Sequence, residues 1–557
     1  MKRRTFLQAG AAGVIGAAAA AGALGSAGCS AASQAPAPAA AAKTDAAAAP
    51  FALEEVTIAD LQKQMASGKE TARSLVEQYV ARIHALDQGG PMLRSVIMIN
   101  PDAADIAAKL DDERKSGQVR GPLHGIPVII KDNIGTHDRM PTAAGSLALA
   151  TSIPPKDSFI AAKLREAGAI ILAKANLSEW ANYRGAHSSS GWSGRGGQCA
   201  NPYAIDRNPS GSSAGSGASA SANFCAIAIG TETNGSIVSP STTNGIVGFK
   251  PTVGLWSRSV VIPISHTQDT AGPMGRTVAD VATLLGALTG VDPDDPATAA
   301  SAGRSQTDYT TFLDPNGLKG ARLGVPRKHL FGYSVSTDRI IEAALEDLKR
   351  LGAVLVDPAD LPTLDDLREP ENLILSYEFK HDLNAYLAAL GPSAPVHTLA
   401  EVIDFNEKNK DRELQYFGQE LMIAAQARGP LTDKAYVDAL ATSMRLSRKE
   451  GIDAVMDTYK LDAFVCPTGS PASLTDLVNG GYGFGGSSGI AAMAGYPHIT
   501  VPAGYHYGLP VGLSFFGRAW SEPTLLKLAY AYEQATKHRR APKFLKTADL
   551  SVANAYA

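Results

Sequence analysis

The sequence predicts an α/β protein. Segments with the 3.6-residue period of amphipathic helices alternate with short apolar runs typical of buried strands, and no internal repeat is detectable. Apolar residues make up 45% of the 557 residues and charged residues 19%, as in a folded globular chain. Because 51 Lys and Arg nearly balance 54 Asp and Glu, the net charge of -3 gives no field that would gather nucleic acid or anionic membrane nonspecifically.

Two amphipathic helices and a buried strand open the folded region. Ile58, Leu61 and Met65 recur at helical spacing behind Thr57, a predicted N-cap. A second helix is predicted over TARSLVEQYVARIHALD and a strand over RSVIMIN. Further strands are predicted at residues 126–130 and around Ile170, Ile227, Val465 and Ile499, and further helices at 338–351 and 433–459. Charged, helix-patterned sequence is concentrated at about residues 300–450, which predicts a peripheral layer or cap over the sheet.

The first residues predict export. Arg3 and Arg4 are followed by Thr5 and Phe6 and then by an Ala/Gly-rich stretch without charge before Lys43, which is the form of a twin-arginine signal. A membrane anchor is the alternative, but glycines dilute the apolar run and weaken its transfer into lipid. The sequence therefore predicts a cleaved signal and an exported, periplasmic protein.

The signal is predicted to span residues 1–29, and its end leaves one question open. The segment SAGC resembles a lipoprotein cleavage box in which Cys29 is acylated, although Ser26 stands where such boxes usually carry Leu. Membrane attachment through a lipidated Cys29 is therefore left open. Residues 30–50 are rich in Ala and Pro with few bulky apolar groups, which predicts a flexible tether.

The other cysteines predict no chemistry. Cys199, Cys225 and Cys466 form no CxxC pair and have no histidine beside them at the spacing of zinc ligands. We expect small buried side chains at these positions, and the sequence leaves open whether any two of them form a disulfide.

Two glycine- and serine-rich segments carry the candidate chemistry. In NPSGSSAGSG, glycines bracket Ser212 and Ser213 and allow a tight turn, and in GTETNGSIVSP, Ser236 follows Gly235 after an apolar strand. The composition of the first segment is also typical of a flexible linker. A linker is not expected inside a packed motif, and here the buried strand AIAIG and a second glycine-bracketed serine follow closely. The context therefore favours a functional site.

A serine nucleophile needs a base, and none of the 11 histidines stands in an obvious motif. His124 and His498 lie beside predicted strands, where a structural histidine is the ordinary interpretation, and Ser236 lacks the G-x-S-x-G elbow. Lys131 ends an apolar run, where loss of water would lower its pKa and leave a neutral amine as base. The alternatives are a surface lysine that follows a strand, or a partner for Asp132.

Eight motifs resemble those of the amidase signature hydrolases, and most closely those of the peptide amidase type. They occur in the family's order over roughly residues 56–537: HGIPVIIKDNI, AKANLSEWA, NPSGSSAGS, GTETNGSIVSP, NGIVGFKPTVG, GPMGRTVAD, YPHITVPAG and GLPVGLSFFG. The resemblance implies a single large α/β/α domain with a mixed central sheet, here residues 51–557. It also implies a Ser-cisSer-Lys triad with Ser236 as nucleophile, Ser212 as bridging serine and Lys131 as base.

The resemblance further implies how the triad is assisted. Backbone N–H groups of the turn that ends at Ser236 would face the oxyanion that develops on the substrate. The implied oxyanion or substrate-binding residues are Thr233, Asn234 and Gly235, and the implied supporting residues are Gly211 and Ser213. No metal, nucleotide or organic cofactor is implied. The expected partner is a small-molecule or peptide amide, and no nucleic acid.

Three functions are compatible with these observations. The first is an exported amidohydrolase that cleaves carboxamides, including C-terminal peptide amides. The second is the component of an amidotransferase that works on glutamyl-tRNA; the export signal argues against it, because tRNA stays in the cytoplasm. The third is a binding lipoprotein that has lost the chemistry, and the presence of Lys131, Ser212 and Ser236 together argues against that.

Overall fold

A mixed sheet of eleven strands lies in the part of the chain that the computed structural model describes, residues 51–483 and 485–551. The chain divides into the unit Met1–Phe51 and the unit Ala52–Ala557, and the sheet belongs to the second. The predicted signal at 1–29, with Cys29, and the predicted tether at 30–50 lie outside the described residues.

The strands are β1 (Val96–Ile99), β2 (Pro127–Lys131), β3 (Ile170–Ala175), β4 (Trp192–Ser193), β5 (Gly197–Gln198), β6 (Ile227–Glu232), β7 (Val247–Lys250), β8 (Thr270–Gly275), β9 (Arg322–Gly324), β10 (Val354–Val356), β11 (Ala463–Pro467), β12 (His498–His506) and β13 (Leu509–Phe516). The helices are α1 (Ile58–Ala66), α2 (Ala72–Leu86), α3 (Ala103–Lys115), α4 (Phe159–Glu166), α5 (Ala214–Ser221), α6 (Val238–Thr243), α7 (Val278–Ala287), α8 (Arg327–Leu330), α9 (Val335–Arg350), α10 (Arg368–Ala389), α11 (Leu399–Lys408), α12 (Lys410–Glu413), α13 (Glu420–Gln426), α14 (Lys434–Met444), α15 (Asp453–Tyr459), α16 (Ser488–Ala494) and α17 (Glu522–Thr536).

The large sheet has the strand order β1-β3-β2-β6-β8-β7-β12-β13-β11-β9-β10. Strand β2 pairs in parallel with β3 and β6, and the pairing is antiparallel from β6 through β8, β7, β12 and β13 to β11. Every residue of β2, β3, β6, β8 and β13 is buried. A sheet buried on both faces is covered by helices on both. The predicted α/β/α class with a mixed central sheet is therefore confirmed.

The predicted helices at the start of the domain are present, and one later prediction is wrong in detail. Thr57 caps α1, because its side chain accepts a hydrogen bond from the Asp60 N–H. Residues 433–459, however, are not one regular helix. A π-helical segment, Arg445–Ile452, lies between α14 and α15. The backbone departs from helical geometry at Gly451, where a Cβ atom would lie 2.3 Å from the Leu446 carbonyl oxygen, so this bend needs glycine.

The region at about 300–450 is mainly helical, as predicted, but it is more than a peripheral layer. It also contributes β9 and β10, which extend the sheet beyond β11. Strands of three residues are too short to show an alternating pattern in the sequence. The longest helix of this region, α10, packs Phe379, Leu383 and Leu387 against Leu177 and Trp180, which follow β3. This contact places α10 beside the carboxyl ends of the central strands.

The described cysteines behave as predicted, since Cys199, Cys225 and Cys466 are buried and free. Among the helices in the described ranges, none combines the length and the apolar character needed to cross a bilayer.

Candidate active site

Lys131 is the last residue of β2, and its ammonium group lies in the protein interior. The two neighbouring strands and the residues above them leave its side chain with no solvent exposure. Its Nζ lies 2.8 Å from Ser212 Oγ, 2.8 Å from Thr231 Oγ1 and 3.1 Å from the Thr231 carbonyl oxygen. The predicted base and the predicted bridging serine are therefore in direct contact. Asp132 does not pair with Lys131, because it forms an ion pair with Arg195 at 3.1 Å.

Burial sets the protonation of this lysine. Loss of water lowers the pKa of Lys131 to about 7, although the carboxylates of Asp269 and Glu232 act in the opposite direction. Burial also raises the pKa of Asp269 to about 6. A lysine with a pKa near 7 exists partly as the neutral amine at neutral pH, which is the form that can accept a proton.

The segment that carries Ser212 is held by close packing. The Gly211–Ser212 peptide bond is cis. The Ser212 carbonyl oxygen accepts a hydrogen bond of 3.0 Å from the Ser178 N–H. A Cβ atom at Gly211 would lie 2.3 Å from Ser178 Oγ, so only glycine fits at this position. Helix α5 starts directly afterwards at Ala214 and is buried along its whole length. This packing is incompatible with a flexible linker.

Ser213 connects the two serine segments and the end of β6. Its Oγ donates to the Thr231 carbonyl oxygen at 3.0 Å and accepts from the Thr231 N–H at 3.2 Å. Its own N–H donates to the Ser236 carbonyl oxygen at 3.2 Å. The Ser213 side chain is thus occupied by backbone groups, whereas the Ser212 side chain faces Lys131.

Ser236 lies on the turn between β6 and α6 and is 8% exposed. Gly235 supplies the left-handed backbone conformation that the turn requires, with φ of 82°. Glu232, the last residue of β6, accepts hydrogen bonds from the N–H groups of Ile237 (2.8 Å) and Val238 (3.0 Å) and so fixes the start of α6. The turn is therefore held at both ends.

The two other residues of this turn are held through their side chains. Thr233 Oγ1 donates to Asp269 at 2.6 Å. The Asn234 side chain donates to Glu371 at 2.6 Å and accepts from the Ser488 hydroxyl at 2.6 Å. Four backbone N–H groups of the turn have no hydrogen-bond acceptor within the described ranges. They are those of Thr233, Asn234, Gly235 and Ser236. They are available to an oxygen atom of a bound substrate.

Several site residues were not predicted from the sequence. Asp269 and Glu371 come from distant segments, and no local pattern marks them. Thr231 could have been found, because it stands at the end of β6 and β6 pairs with β2, which ends in Lys131. Side chains at the carboxyl ends of adjacent parallel strands meet at one edge of the sheet. Asn133 joins the same network by donating to Thr231 Oγ1 at 3.0 Å.

Two cavities adjoin these segments. One, of about 250 Å³, is lined by Thr231, Thr233 and Asp269 and extends outward to His266 and Asp382. The other, of about 200 Å³, is polar. Its lining includes Ser190, Ser210, Ser239, Thr243 and Tyr482. The second cavity therefore adjoins both serine-bearing segments, next to Gly211 on one side and α6 on the other.

The two histidines considered as bases are structural, as expected. His124 is buried and its Nε2 lies 2.9 Å from the Leu110 carbonyl oxygen. His498 is buried and its Nε2 lies 2.6 Å from Ser514 Oγ. Neither has a contact with Ser212 or Ser236 among the described residues.

Comparison with known proteins identifies the family. The family model described as Amidase matches residues 74–526. A probable amidase of Arabidopsis thaliana is 42% identical over 504 residues, which cover 89% of this chain and 93% of the relative. The chain belongs to the amidase family. It is an amidase hydrolase, and this confirms the class inferred from the sequence motifs.

A solved structure resembles this amidase along nearly its whole length. The crystal structure of the peptide amidase PAM in complex with the competitive inhibitor chymostatin is 50% identical, with a TM-score of 0.86, and covers 88% of this chain and 100% of that chain. A glutamyl-tRNA(Gln) amidotransferase component of Chloroflexus aurantiacus is more distant. It is 34% identical over 505 residues, 88% of this chain and 99% of the relative.

Proposed function

We propose that this amidase hydrolyses the C-terminal carboxamide of peptides through Ser236, Ser212 and Lys131. The observation that carries the proposal is the 2.8 Å contact between Lys131 Nζ and Ser212 Oγ in a fully buried position. A neutral amine, a hydroxyl beside it and a glycine turn with unoccupied N–H groups are the parts that acyl transfer by a serine requires.

The first step forms the acyl-enzyme. Ser236 Oγ attacks the carbonyl carbon of the amide, its proton passes to Ser212 Oγ, and the Ser212 proton passes to Lys131 Nζ. The carbonyl oxygen becomes negatively charged and is stabilised by the N–H groups of the turn, at about 3 kcal/mol per donor in comparable sites. The C–N bond then breaks. The departing nitrogen takes a proton back from Ser212, which recovers one from Lys131, and ammonia leaves.

The second step releases the acid. A water molecule attacks the ester carbonyl carbon, and its proton follows the same route through Ser212 to Lys131. Collapse of the intermediate breaks the bond to Ser236 Oγ, which receives the returned proton. The products are a carboxylic acid and the original enzyme, so the chain's own residues account for every proton transferred.

The polar cavity between the two serine segments supports a peptide-like substrate. It adjoins Ser210 and Ser239, and hydroxyl groups line much of it. Such a lining suits the amide groups of a peptide chain, which need hydrogen-bond partners when they leave water. The inhibitor named with PAM, chymostatin, points in the same direction.

A substrate panel tests the proposal. The purified full chain is assayed for ammonia release from peptide amides, free amino-acid amides, aryl amides and fatty amides. We expect the highest kcat/KM with peptide amides and a loss of at least about 10³-fold in Ser236→Ala, with an unchanged melting temperature. A preference for another amide would change the substrate class. Ammonia release only from glutamine with glutamyl-tRNA present would favour the amidotransferase, and no turnover at all would favour the binding lipoprotein.

We also propose that the protein is exported by the twin-arginine route, as Arg3 and Arg4 indicate. Replacing both arginines with lysine is expected to leave the precursor in the cytoplasm. Lipid attachment at Cys29 is a separate question, which mass spectrometry of the mature N-terminus answers. Normal periplasmic recovery of the double-lysine variant would show that another export route operates.

A further inference from the structure

Two histidines and a carboxylate, His266, His381 and Asp382, meet beside the 250 Å³ cavity, whose lining includes His266 and Asp382. His266 Nδ1 lies 2.9 Å from Asp382 Oδ2, and His381 Nδ1 lies 2.9 Å from Asp382 Oδ1. One nitrogen or oxygen atom from each of the three residues lies within 4.8 Å of the other two. The side chains of His266 and His381 are 42% and 58% exposed, so the group is open to solutes. We call these three residues the His266 cluster.

A buried carboxylate lies beside the cluster. Glu378 is fully buried, and its Oε1 lies 3.4 Å from His266 Nε2. Glu378 is itself held, since it accepts hydrogen bonds from the Tyr436 hydroxyl at 2.7 Å and from Thr267 Oγ1 at 2.9 Å. The other ring nitrogen of His266, Nδ1, is within hydrogen-bond distance of Asp382. A carboxylate behind an imidazole in this way is the usual second layer of a metal site, where it fixes the ring orientation and raises ligand basicity.

We propose that the His266 cluster is a binding site for a divalent transition-metal ion of the zinc type. Two imidazole nitrogens and one carboxylate form a ligand set that Zn²⁺ accepts, whereas Mg²⁺ and Ca²⁺ prefer oxygen ligands alone. The three ligand atoms lie within 4.8 Å of one another, and one bound ion would draw them to metal–ligand distances of about 2.0–2.2 Å. The exposed side of the cluster would leave the fourth coordination position of the ion to a water molecule.

The placement of the cluster gives the ion a structural consequence. Helix α10 carries His381 and Asp382, and the loop before β8 carries His266. The same helix holds Asn234 through Glu371, and the same loop holds Thr233 through Asp269. An ion bound by the cluster would therefore tie together the two elements that position the turn before Ser236. The inference goes beyond the proposed hydrolysis and does not depend on it.

Metal titration of the full chain tests the site. The protein is purified without a polyhistidine tag, treated with EDTA and titrated with ZnCl₂ by calorimetry, and with CoCl₂ followed by visible absorption. We expect one saturable site per chain, a visible Co²⁺ spectrum of low coordination number, and a higher melting temperature with Zn²⁺. His266→Ala and His381→Ala are each expected to weaken binding by at least about tenfold, and the double variant to abolish it.

A matched control separates this site from ordinary surface binding. His397 is also exposed and lies 3.5 Å from Glu401, but no second histidine is part of that pair. His397→Ala should bind Zn²⁺ as the wild type does. Unchanged binding in the double variant, or no saturable binding in the wild type, would overturn the proposal. The same titration of Ser236→Ala must give the wild-type result, so failure of the metal site and failure of the proposed hydrolysis are distinguishable.

Discussion

Lys131 Nζ has three oxygen neighbours, and this arrangement serves both protonation states of the lysine. The Thr231 carbonyl oxygen can only accept a hydrogen bond, and Thr231 Oγ1 also lies within 2.8 Å of Nζ. A neutral amine has two N–H groups, which these two oxygens can accept, and one lone pair. As an ammonium, Lys131 also donates to Ser212 Oγ at 2.8 Å; as the neutral amine it turns its lone pair to Ser212 Oγ, which can then donate its proton.

The first prediction concerns pH. Below about pH 7 the ammonium form of Lys131 dominates and cannot accept a proton, so kcat/KM should rise with pH through about 7 and level off above it. The pH profile of kcat/KM for the wild type measures this rise. Lys131→Met should lower kcat by at least about 10² and abolish the rise of kcat/KM with pH. If the variant keeps both its kcat and the rise of kcat/KM with pH, another residue is the base.

The second prediction ranks the adjacent serines. Ser212→Ala removes the hydroxyl that contacts Lys131 and that the proposed mechanism uses as the relay, and should lower kcat by at least about 10² with little change in KM. Ser213→Ala removes a hydroxyl that bonds only backbone groups of Thr231. It should lower stability, by about 1–3 kcal/mol, more than it lowers kcat. Steady-state kinetics and denaturant unfolding of both variants check the ranking, and the reverse order would assign the relay to Ser213.

At the scale of elements, the turn before Ser236 is positioned by parts of the fold that lie far apart in sequence. Thr233 is bound to the loop before β8, and Asn234 is bound to the first turn of α10 and to the start of α16. Oxyanion stabilisation depends on N–H groups placed to within a fraction of an ångström. We therefore expect the residues that bond this turn to affect the proposed reaction without touching the substrate.

The third prediction tests such a positioning residue. Glu371 Oε1 accepts from Asn234 at 2.6 Å and from Gln268 at 3.1 Å. Glu371→Leu leaves the Asn234 amide without its acceptor and leaves the Gln268 amide only the Thr233 carbonyl oxygen at 3.4 Å, so kcat should fall about tenfold or more while KM changes little. Glu371→Gln keeps a carbonyl oxygen in place and should retain most of the activity. Equal losses in the two variants would show that the charge of Glu371 matters, and not its hydrogen bonds.

At the scale of the whole molecule, a buried ion cluster joins the α10–α13 region to the segment that follows β3. Arg184 is fully buried, bonds Glu179 at 2.5 Å and lies 3.8 Å from Glu413. Its guanidinium also lies 4.9 Å from the ring centre of Trp192 and 4.0 Å from that of Phe417. The two carboxylates depend on this one cation.

The fourth prediction follows from that dependence. Arg184→Met leaves two buried carboxylates facing each other, and removing one partner of a buried ion pair costs about 3–5 kcal/mol. Arg350→Met is the matched control, because Arg350 pairs with Asp347 at the surface with 63% of its side chain exposed, and should change stability by less than about 1 kcal/mol. Denaturant unfolding measures both. Similar small changes in the two variants would mean that the cluster contributes little to stability.

The sequence by itself determined the fold class, the amidase family and the residues that carry the proposed chemistry. The fold class follows from helix and strand periods, whereas the family and the site residues follow from the resemblance of eight ordered motifs to those of the amidase signature hydrolases. The irregular segment at residues 445–452 could not be predicted, because its bend depends on close packing at Gly451. The strands β9 and β10 could not be predicted, because three residues are too few to show an alternating pattern.

Only the tertiary structure decided which groups surround the predicted residues. Thr231 contacts Lys131 across 100 residues of sequence, and Ser488 contacts Asn234 across 254. The burial that lowers the pKa of Lys131 likewise arises from strands that meet only in the folded sheet. The physical reason is that desolvation and long-range hydrogen bonds depend on distances in space, which a local sequence pattern does not record.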